Sequence, residues 1–355
     1  MLNFFGSPGS PGLKKDAEQV RIFLGGKMKK WITVIFLLIF AKLIFPQTVK
    51  EIQIPINVRI EENIITETLI KNLFYQEVYQ MGVFYIIDDY IYMTNFKPPE
   101  IMKLNLKGEL VGKGGRLGQG PGEFQFCKDI RKLKNNIIFM APYSVRMIVF
   151  NKELKFVREF KVKKMYMGFF VNKRNELIMI TRAWPGNPYY YEVLSEDGKF
   201  LRRFHRRKNT PTGETISFDR TTDQIYIPEE DGFWVAMANR YALQYYQNEN
   251  LKVEIKAKKD FFKWIDKEYG NVSYKSYVDN SIYLGWSNHK LFHFFRKDKK
   301  IFCDIFDTKI YQLEKRIKIK NNYSGIAHHK DNMFYAVYYD EHGDMLLYKL
   351  EFQLS

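Results

Sequence analysis

The sequence predicts an all-β fold, a six-bladed β-propeller built from four-stranded antiparallel blades. Three observations support this prediction. The apolar residues are mainly Phe, Tyr, Ile, Val and Leu, with 30 Phe and 24 Tyr, and such residues favour pleated strands over helices. Short apolar runs alternate with turns that contain Gly, Asn or Asp. The runs recur with a period of roughly 40–50 residues, which is the length of a propeller blade.

The repeating unit is an apolar strand, a polar loop, a second apolar strand and a tight polar turn. The turn markers lie 44, 46, 51 and 58 residues apart, at Gly108, Lys152, Gly198, Glu249 and Asp307. The two central strands of the five units are predicted at residues 90–94 and 101–106, 136–140 and 146–150, 176–180 and 190–194, 232–236 and 241–245, and 291–295 and 301–306. The segment 261–280 is predicted to be an insertion, because it lengthens the last interval.

A sixth unit, residues 333–352, ends without an outermost strand. Residues 51–60 form an extended segment that belongs to no other unit. We therefore expect this amino-terminal strand to complete the sixth blade and close the ring. Closure by strands from both ends of the chain removes the sheet edges that an open arrangement would expose.

The amino-terminal region predicts export. Residues 28–45 contain two lysines followed by an apolar run that only Lys42 interrupts, which is the layout of a secretory signal peptide. Because no small-residue cleavage motif follows, residues 28–47 are predicted to be either a signal peptide or a retained membrane anchor. Residues 1–27 are rich in Gly, Pro and Ser and are expected to be disordered, or untranslated if synthesis starts at Met28. The propeller domain is expected at residues 48–355.

The formal net charge of +16 bears on the possible partners. For an exported protein we expect no nucleic acid, and the charge suits anionic lipid, polysaccharide or cell-wall polymer, or serves solubility alone. Cys127 and Cys303 lie in no C-x-x-C motif, and the sequence leaves open whether they pair. We expect no cofactor and no metal, since His289 and His293 have no third ligand nearby. The protein is expected to be a monomer.

Residues 118–124 read Gly-Gln-Gly-Pro-Gly-Glu-Phe and join the first two units. This segment resembles the linker of NHL-repeat proteins and of the exported bacterial six-bladed β-propellers similar to them. Glycines let the chain swing from an outer strand to the next inner strand, and Phe124 is expected to wedge between neighbouring sheets. The family usually has a proline shortly after this phenylalanine, whereas this chain has Cys127 and Lys128 there. The resemblance spans roughly residues 52–352, and it implies a binding or scaffold protein more often than an enzyme.

The loops between the second and third strands of each blade are expected to gather, with the interblade linkers, on one face around the central channel. These loops carry aromatic and cationic side chains, which suit sugar rings, acidic glycans or peptide carboxylates. The candidate ligand-binding residues are Lys97, Arg116, Tyr143, Arg182, Trp184, Arg240 and Tyr241. The alternative is that the aromatic residues only cap the ends of the blades.

No G-x-S-x-G or other nucleophile motif is present, and no catalytic residue is predicted. We expect a binding or interaction module at the bacterial envelope, with an unidentified glycan, peptide or envelope protein as its partner. The alternative is a propeller hydrolase or lyase that acts on a glycan or a lactone. A ring of acidic or histidine side chains in the channel would favour the enzyme, and an aromatic and basic funnel would favour binding.

Overall fold

A computed structural model describes residues 48–55, 58–62, 64–73, 81–181, 188–206, 221–237, 240–258, 261–262, 264–269, 272–277 and 279–354. Residues 49–355 form one compact unit. The predicted amino-terminal leader, residues 1–27, and the predicted signal or anchor, residues 28–47, lie outside the described residues. Within the described residues, no helix is long and apolar enough to cross a membrane.

The structure is a six-bladed β-propeller, as the sequence predicts. The amino-terminal segment contributes β1 (Lys50–Gln53), β2 (Ile60–Glu61) and β3 (Ile65–Asn72). Blade 1 contains β4 (Met81–Ile87), β5 (Tyr90–Phe96), β6 (Pro99–Asn105) and β7 (Leu110–Gly114). Blade 2 contains β8 (Asp129–Leu133), β9 (Asn136–Ala141), β10 (Arg146–Phe150) and β11 (Phe156–Lys161). Blade 3 contains β12 (Gly168–Val171), β13 (Leu177–Ile180), β14 (Tyr189–Leu194) and β15 (Phe200–Arg206).

Blade 4 contains β16 (Thr221–Ile227), β17 (Gly232–Met237), β18 (Ala242–Gln247) and β19 (Asn250–Lys256). A separate two-stranded hairpin of β20 (Trp264–Tyr269) and β21 (Val272–Tyr277) follows, inside the predicted insertion. Blade 5 contains β22 (Asn280–Ser287), β23 (Lys290–Lys297), β24 (Lys300–Asp307) and β25 (Gln312–Lys318). Blade 6 contains β26 (Gly325–Lys330), β27 (Met333–Tyr339) and β28 (Met345–Phe352), with β3 as its fourth strand. Short 3₁₀ helices lie at Pro142–Ser144 and Pro228–Glu230.

The burial of the strands explains why these residues form a propeller. The middle strands of a blade pack against neighbouring blades on both faces, so β10 and β17 are buried at every position. The outermost strands meet solvent, and β11 has only exposed or half-buried residues. Six apolar clusters form among the described residues, and each one joins two adjacent blades. The ring is therefore held together by six interfaces between neighbouring sheets.

The amino-terminal strand closes the ring, but it is not the segment that the sequence analysis proposed. The outermost strand of blade 6 is β3, which pairs antiparallel with β28, and residues 51–60 do not take that place. Instead β1 pairs in parallel with β19 of blade 4, and β2 pairs in parallel with β25 of blade 5. The chain thus passes along the outer edges of two blades before it reaches the sixth. Two hydrogen bonds fix this path. Lys256 Nζ donates to Glu51 Oε2 at 2.5 Å, and Lys318 Nζ donates to Glu62 Oε1 at 2.9 Å.

Both cysteines are free and buried, so they are two separate thiols. Cys127 packs between blades 1 and 2, and Cys303 packs between blades 5 and 6. Burial raises the pKa of each thiol well above its ordinary value. These cysteines therefore behave as small apolar core residues.

Candidate functional site

The strand order defines two faces of the propeller. In each blade, the innermost strand begins at the end of the preceding linker and runs to the other face of the ring. The next strand is antiparallel to it and runs back to the face where the linker lies. The interblade linkers and the loops between second and third strands therefore lie on one face, which we call the linker face. The remaining hairpin turns lie on the opposite face, which we call the turn face. The five candidate binding residues that the structure describes, Lys97, Arg116, Tyr143, Arg240 and Tyr241, fall in segments of the linker face by this topology.

Three of the candidates lie in segments at the junction of blade 1 and blade 2. Lys97 is exposed and directly follows Phe96 at the end of β5. Arg116 lies in the linker with its side chain 80% exposed, and its Nε donates to Glu123 Oε1 at 2.6 Å. Tyr143 lies in the loop between β9 and β10 and is 73% exposed.

The other candidates do not join this group. Arg240 pairs with Glu254, with a distance of 3.1 Å between Nη2 and Oε1. Tyr241 is 2% exposed, and its hydroxyl donates to the buried carboxylate of Asp304. Its ring also packs against Phe261 of the insertion, so Tyr241 belongs to the core and cannot contact a ligand. Arg182 and Trp184 lie outside the described residues.

The glycine-rich linker has a fixed shape. Gly115 adopts a φ of 73°, and a Cβ atom there would lie 2.2 Å from the ring of Phe124. Phe124 is 1% exposed and lies in the cluster between blades 1 and 2, which agrees with the predicted wedge. Glu123 accepts from the backbone N–H of Gly120 at 2.8 Å. This bond and the Arg116 guanidinium lower the pKa of Glu123 below its ordinary value.

Arg146 holds the linker against blade 2, and the sequence analysis missed it. Its Nη1 donates to the carbonyl oxygens of Gln119 and Gly120 at 3.1 and 3.2 Å, and its Nη2 donates to that of Glu123 at 2.8 Å. Nη1 also contacts both carboxylate oxygens of Glu159, at 3.1 and 3.0 Å. A signal was present in the sequence, because an arginine that begins an otherwise apolar strand needs an internal partner.

A pocket of about 320 Å³ opens beside this arginine, and we call it the linker pocket. It is lined by Gly118, Gln119, Gln125, Phe126, Ala141, Tyr143, Ser144, Arg146, Glu159 and Lys161. Its volume lies near the lower end of the roughly 300–1,000 Å³ that small-ligand sites occupy. Lys161 ends the outer strand β11, and nothing in the sequence distinguished it from other surface lysines.

An aromatic rim borders the linker pocket. Phe96 and Phe126 stack with ring centroids 5.0 Å apart and an angle of 13° between the rings. The ring of Phe126 also contacts the ring of Tyr143, with 5.6 Å between the ring centroids. The three rings form a continuous aromatic surface between blades 1 and 2, which can receive the apolar face of a sugar or a ligand ring.

A second cavity, of about 260 Å³, lies in the central channel. Its lining comes from the innermost strands of blades 1 to 5 and comprises Tyr85, Arg131, Lys132, Phe170, Val171, Gln224, Ile225, Tyr226, Tyr283 and Leu284. Most of these residues lie in the later halves of their strands, so the cavity is closer to the turn face. Among the described residues that line it, none is acidic and none is histidine.

Arg131 organises the polar side of this channel cavity. Its guanidinium lies 4.1 Å from the ring centroid of Tyr85, and its Nη1 lies 2.5 Å from Oδ1 of Asp129. The other carboxylate oxygen of Asp129 accepts from the backbone N–H of Phe169 at 2.9 Å. Burial raises the pKa of Asp129 above its ordinary value, although Arg131 opposes this shift. The channel thus combines aromatic rings with a paired guanidinium.

A further polar network lies buried between blades 4 and 5. Arg316 makes a bidentate pair with Asp304, at 2.6 and 2.7 Å. Near it, His293 Nε2 lies 2.9 Å from Ser281 Oγ, which in turn donates to the carbonyl of Met237 at 2.9 Å. Because Ser281, His293 and Asp304 are fully buried, this network has no access to a substrate and acts within the core.

No protein-family model matches the sequence, and the search of curated proteins finds no match. Solved structures with the same fold do match. A candidate exported protein from Bacteroides fragilis gives a TM-score of 0.59 at 12% identity, over 86% of this chain and 99% of its own. A member of the DUF4221 family from Bacteroides vulgatus gives a TM-score of 0.57 at 8% identity, over 82% of this chain and 99% of its own. A streptogramin B lyase gives a TM-score of 0.50 at 11% identity, over 81% of this chain and 97% of its own. At such low identity these likenesses show the fold, a six-bladed β-propeller.

Proposed function

We propose that the protein is an exported binding module of the bacterial envelope, and that it binds a glycan or a peptide in the linker pocket. The observation that carries this proposal is the composition of the pocket. An exposed aromatic rim, side-chain amides and a lysine surround one concave site whose wall Arg146 fixes. Binding sites commonly consist of a preformed cavity with a few placed polar groups, because little order is then lost on binding.

The channel supports binding over hydrolysis or lysis. A propeller hydrolase needs acidic or histidine groups that converge on the substrate. The described lining of the channel cavity instead contains tyrosines, a phenylalanine, a glutamine and two cations. This chain is similar to a streptogramin B lyase in fold, and a similarity of fold does not imply acidic or histidine groups in this channel.

Export and kinship with NHL-repeat proteins belong to the same proposal. Residues 28–47 have the layout of a signal peptide or membrane anchor, and two propellers of similar fold come from Bacteroides, one of them a candidate exported protein. The shape of the linker around Gly115 and Phe124 supports the proposed relationship to NHL-repeat proteins. We propose a monomer, tethered through residues 28–45 if that segment is retained. Cell fractionation followed by amino-terminal sequencing would contradict export if the protein stayed in the cytoplasm with an intact leader.

The binding proposal is tested with Tyr143→Ala. The purified protein is screened on glycan and peptide arrays, and the affinity of each hit is measured by calorimetry. Loss of the exposed ring should weaken binding about tenfold, because aromatic contacts contribute up to roughly 1.5 kcal/mol. The fold should be unaffected, since Tyr143 is mostly exposed.

Tyr90→Ala is the matched control. Tyr90 is also partly exposed, but it lies at the turn face with Lys103 3.8 Å from its ring centroid. Its loss should leave the affinity unchanged. A ligand that binds both variants as well as the unaltered protein would show that the linker pocket is not the binding site.

A further inference from the structure

We propose that the linker pocket selects an anionic sugar, a pyranose residue that carries a carboxylate or a sulfate. This inference rests on the proposed function and adds the chemical class of the ligand. It depends on the balance of charges around the pocket and on the kinds of polar group that line it.

Three carboxylates lie in or beside the segments that form the pocket, and each already has a cationic partner. The pairs are Glu100 with Lys113 at 3.4 Å, Glu123 with Arg116 at 2.6 Å, and Glu159 with Arg146 at 3.0 Å. These carboxylates therefore do not neutralise any further cation. A positive charge that remains at the rim is available to a ligand.

Lysines supply that remaining charge. Lys161 lines the pocket, Lys97 adjoins the aromatic rim, and Lys163 lies two residues beyond Lys161. All three are exposed, and the described residues offer none of them an ion-pair partner within 4.0 Å. Ammonium groups in this state attract oxyanions and make charge-assisted hydrogen bonds to them. The rim of the pocket is therefore selective for negative charge.

The uncharged groups favour a sugar as the carrier of that charge. Tyr143 presents an exposed ring, against which the C–H face of a pyranose can pack. Gln119, Gln125 and Ser144 offer amides and a hydroxyl, which can both donate to and accept from sugar hydroxyls. An acidic peptide would also satisfy the lysines, and its backbone would pair with these amides, but it lacks the C–H face of a pyranose for the ring of Tyr143.

The test compares three trisaccharides that differ in whether they carry charge and in which anionic group carries it. Calorimetry of the purified protein is run with trigalacturonate, with its fully methyl-esterified form, and with a sulfated neutral trisaccharide. We expect trigalacturonate or the sulfated sugar to bind about tenfold more tightly than the ester, as for one charge-assisted contact. Raising the ionic strength from roughly 0.05 to 0.5 M should reduce this difference.

Lys161→Ala should remove the preference for the charged sugar and leave the binding of the ester unchanged. Lys107→Ala is the control, because Lys107 is an exposed lysine of the turn face. Preference for the sulfated sugar supports the inference and identifies the anion. Equal binding of acid and ester overturns the inference but not the proposed function. Binding of an acidic peptide alone overturns the sugar class, and if no ligand depends on Tyr143 the proposed function itself fails.

Discussion

Arg146 shows how a single residue can determine the shape of a surface site. Its guanidinium is nearly buried, and it joins three linker carbonyls to the carboxylate of Glu159 on the outer strand of blade 2. A planar group with five N–H donors can satisfy four acceptors at once, which a lysine could not do in the same geometry. The wall of the linker pocket depends on this one side chain.

Replacing Arg146 with leucine should destabilise the protein by about 3 kcal/mol, because a half-buried carboxylate and three carbonyls lose their donor. Urea unfolding followed by tryptophan fluorescence measures the change in the free energy of unfolding. Arg158→Leu is the comparison, since among the described residues Arg158 makes one hydrogen bond, to the carbonyl of Glu196 at 2.9 Å, and lies 5.5 Å from the ring centroid of Phe160. We expect that change to cost about 1 kcal/mol or less. Equal costs for the two variants would refute a special role for Arg146.

His293 is the second residue with a measurable signature. Burial, with a smaller contribution from Arg316, lowers the pKa of His293 from its ordinary value of 6.5 to about 3. The native state therefore keeps this imidazole neutral at pH values where the unfolded chain binds a proton. The stability contributed by a neutral His293 is complete above about pH 6.5 and is lost progressively as the pH falls toward 3.

We predict that His293→Gln flattens the pH dependence of stability in this window. For one proton the slope should fall by up to about 1.4 kcal/mol per pH unit. Denaturant unfolding at a series of pH values between 4 and 7, for both proteins, gives the two slopes. His342→Gln is the control, because His342 is exposed on the turn between β27 and β28. An unchanged slope in His293→Gln would show that His293 titrates normally in the folded protein.

At the scale of the elements, the linker between blades 1 and 2 is fixed by close packing. Gly115 lies in the left-handed region of backbone conformation, and the buried ring of Phe124 occupies the space that its Cβ would need. Phe124 in turn contacts Phe139 of blade 2, with 4.9 Å between the ring centroids. The linker is thus part of the interface between two blades.

Gly115→Ala should cost about 2–4 kcal/mol, since it adds a steric clash to an unfavourable φ. Gly343→Ala separates the two effects. Gly343 has a φ of 85°, but no atom lies within 4 Å of the place its Cβ would occupy. We expect this control to cost about 1 kcal/mol. Thermal and urea unfolding of both variants test the difference, and similar costs would contradict the packing role of Phe124.

The sequence predicts some elements better than others, for physical reasons. The middle strands are mostly apolar because both faces are buried, so the segments 136–140 and 146–150 were recognisable as β9 and β10. Outer strands such as β3 read ITETLIKN, and such a polar pattern does not reveal a partner almost three hundred residues away. The closing strand was therefore assigned to the wrong segment, although closure itself was predicted correctly.

The candidate site was predictable to a similar extent. The loop position of Tyr143 follows from the repeat, and the structure has a pocket beside it. Tyr241 occupies the equivalent loop of blade 4, but Phe261 and Phe262 of the insertion pack over it. Such packing between segments depends on the folded path of the chain, which no local pattern in the sequence records.

At the scale of the whole propeller, the six blades form a closed ring with similar interfaces between neighbours. Each blade contributes to two of the six apolar clusters, so every blade is stabilised by its neighbours on both sides. The linker pocket lies beside one of these interfaces and is framed by segments of blade 2 and the preceding linker. The site is therefore built on the packed interface between two blades.

The pairing of β3 with β28 sets the order in which the chain can mature. The ribosome makes β3 early, but its partner β28, which begins at Met345, appears only near the end of synthesis. Until then the sixth sheet lacks the strand that joins β3 to β27, and β3 has no backbone partner in it. A polypeptide that stops before residue 345 lacks β28, so its sixth blade stays incomplete and the ring cannot close through β3.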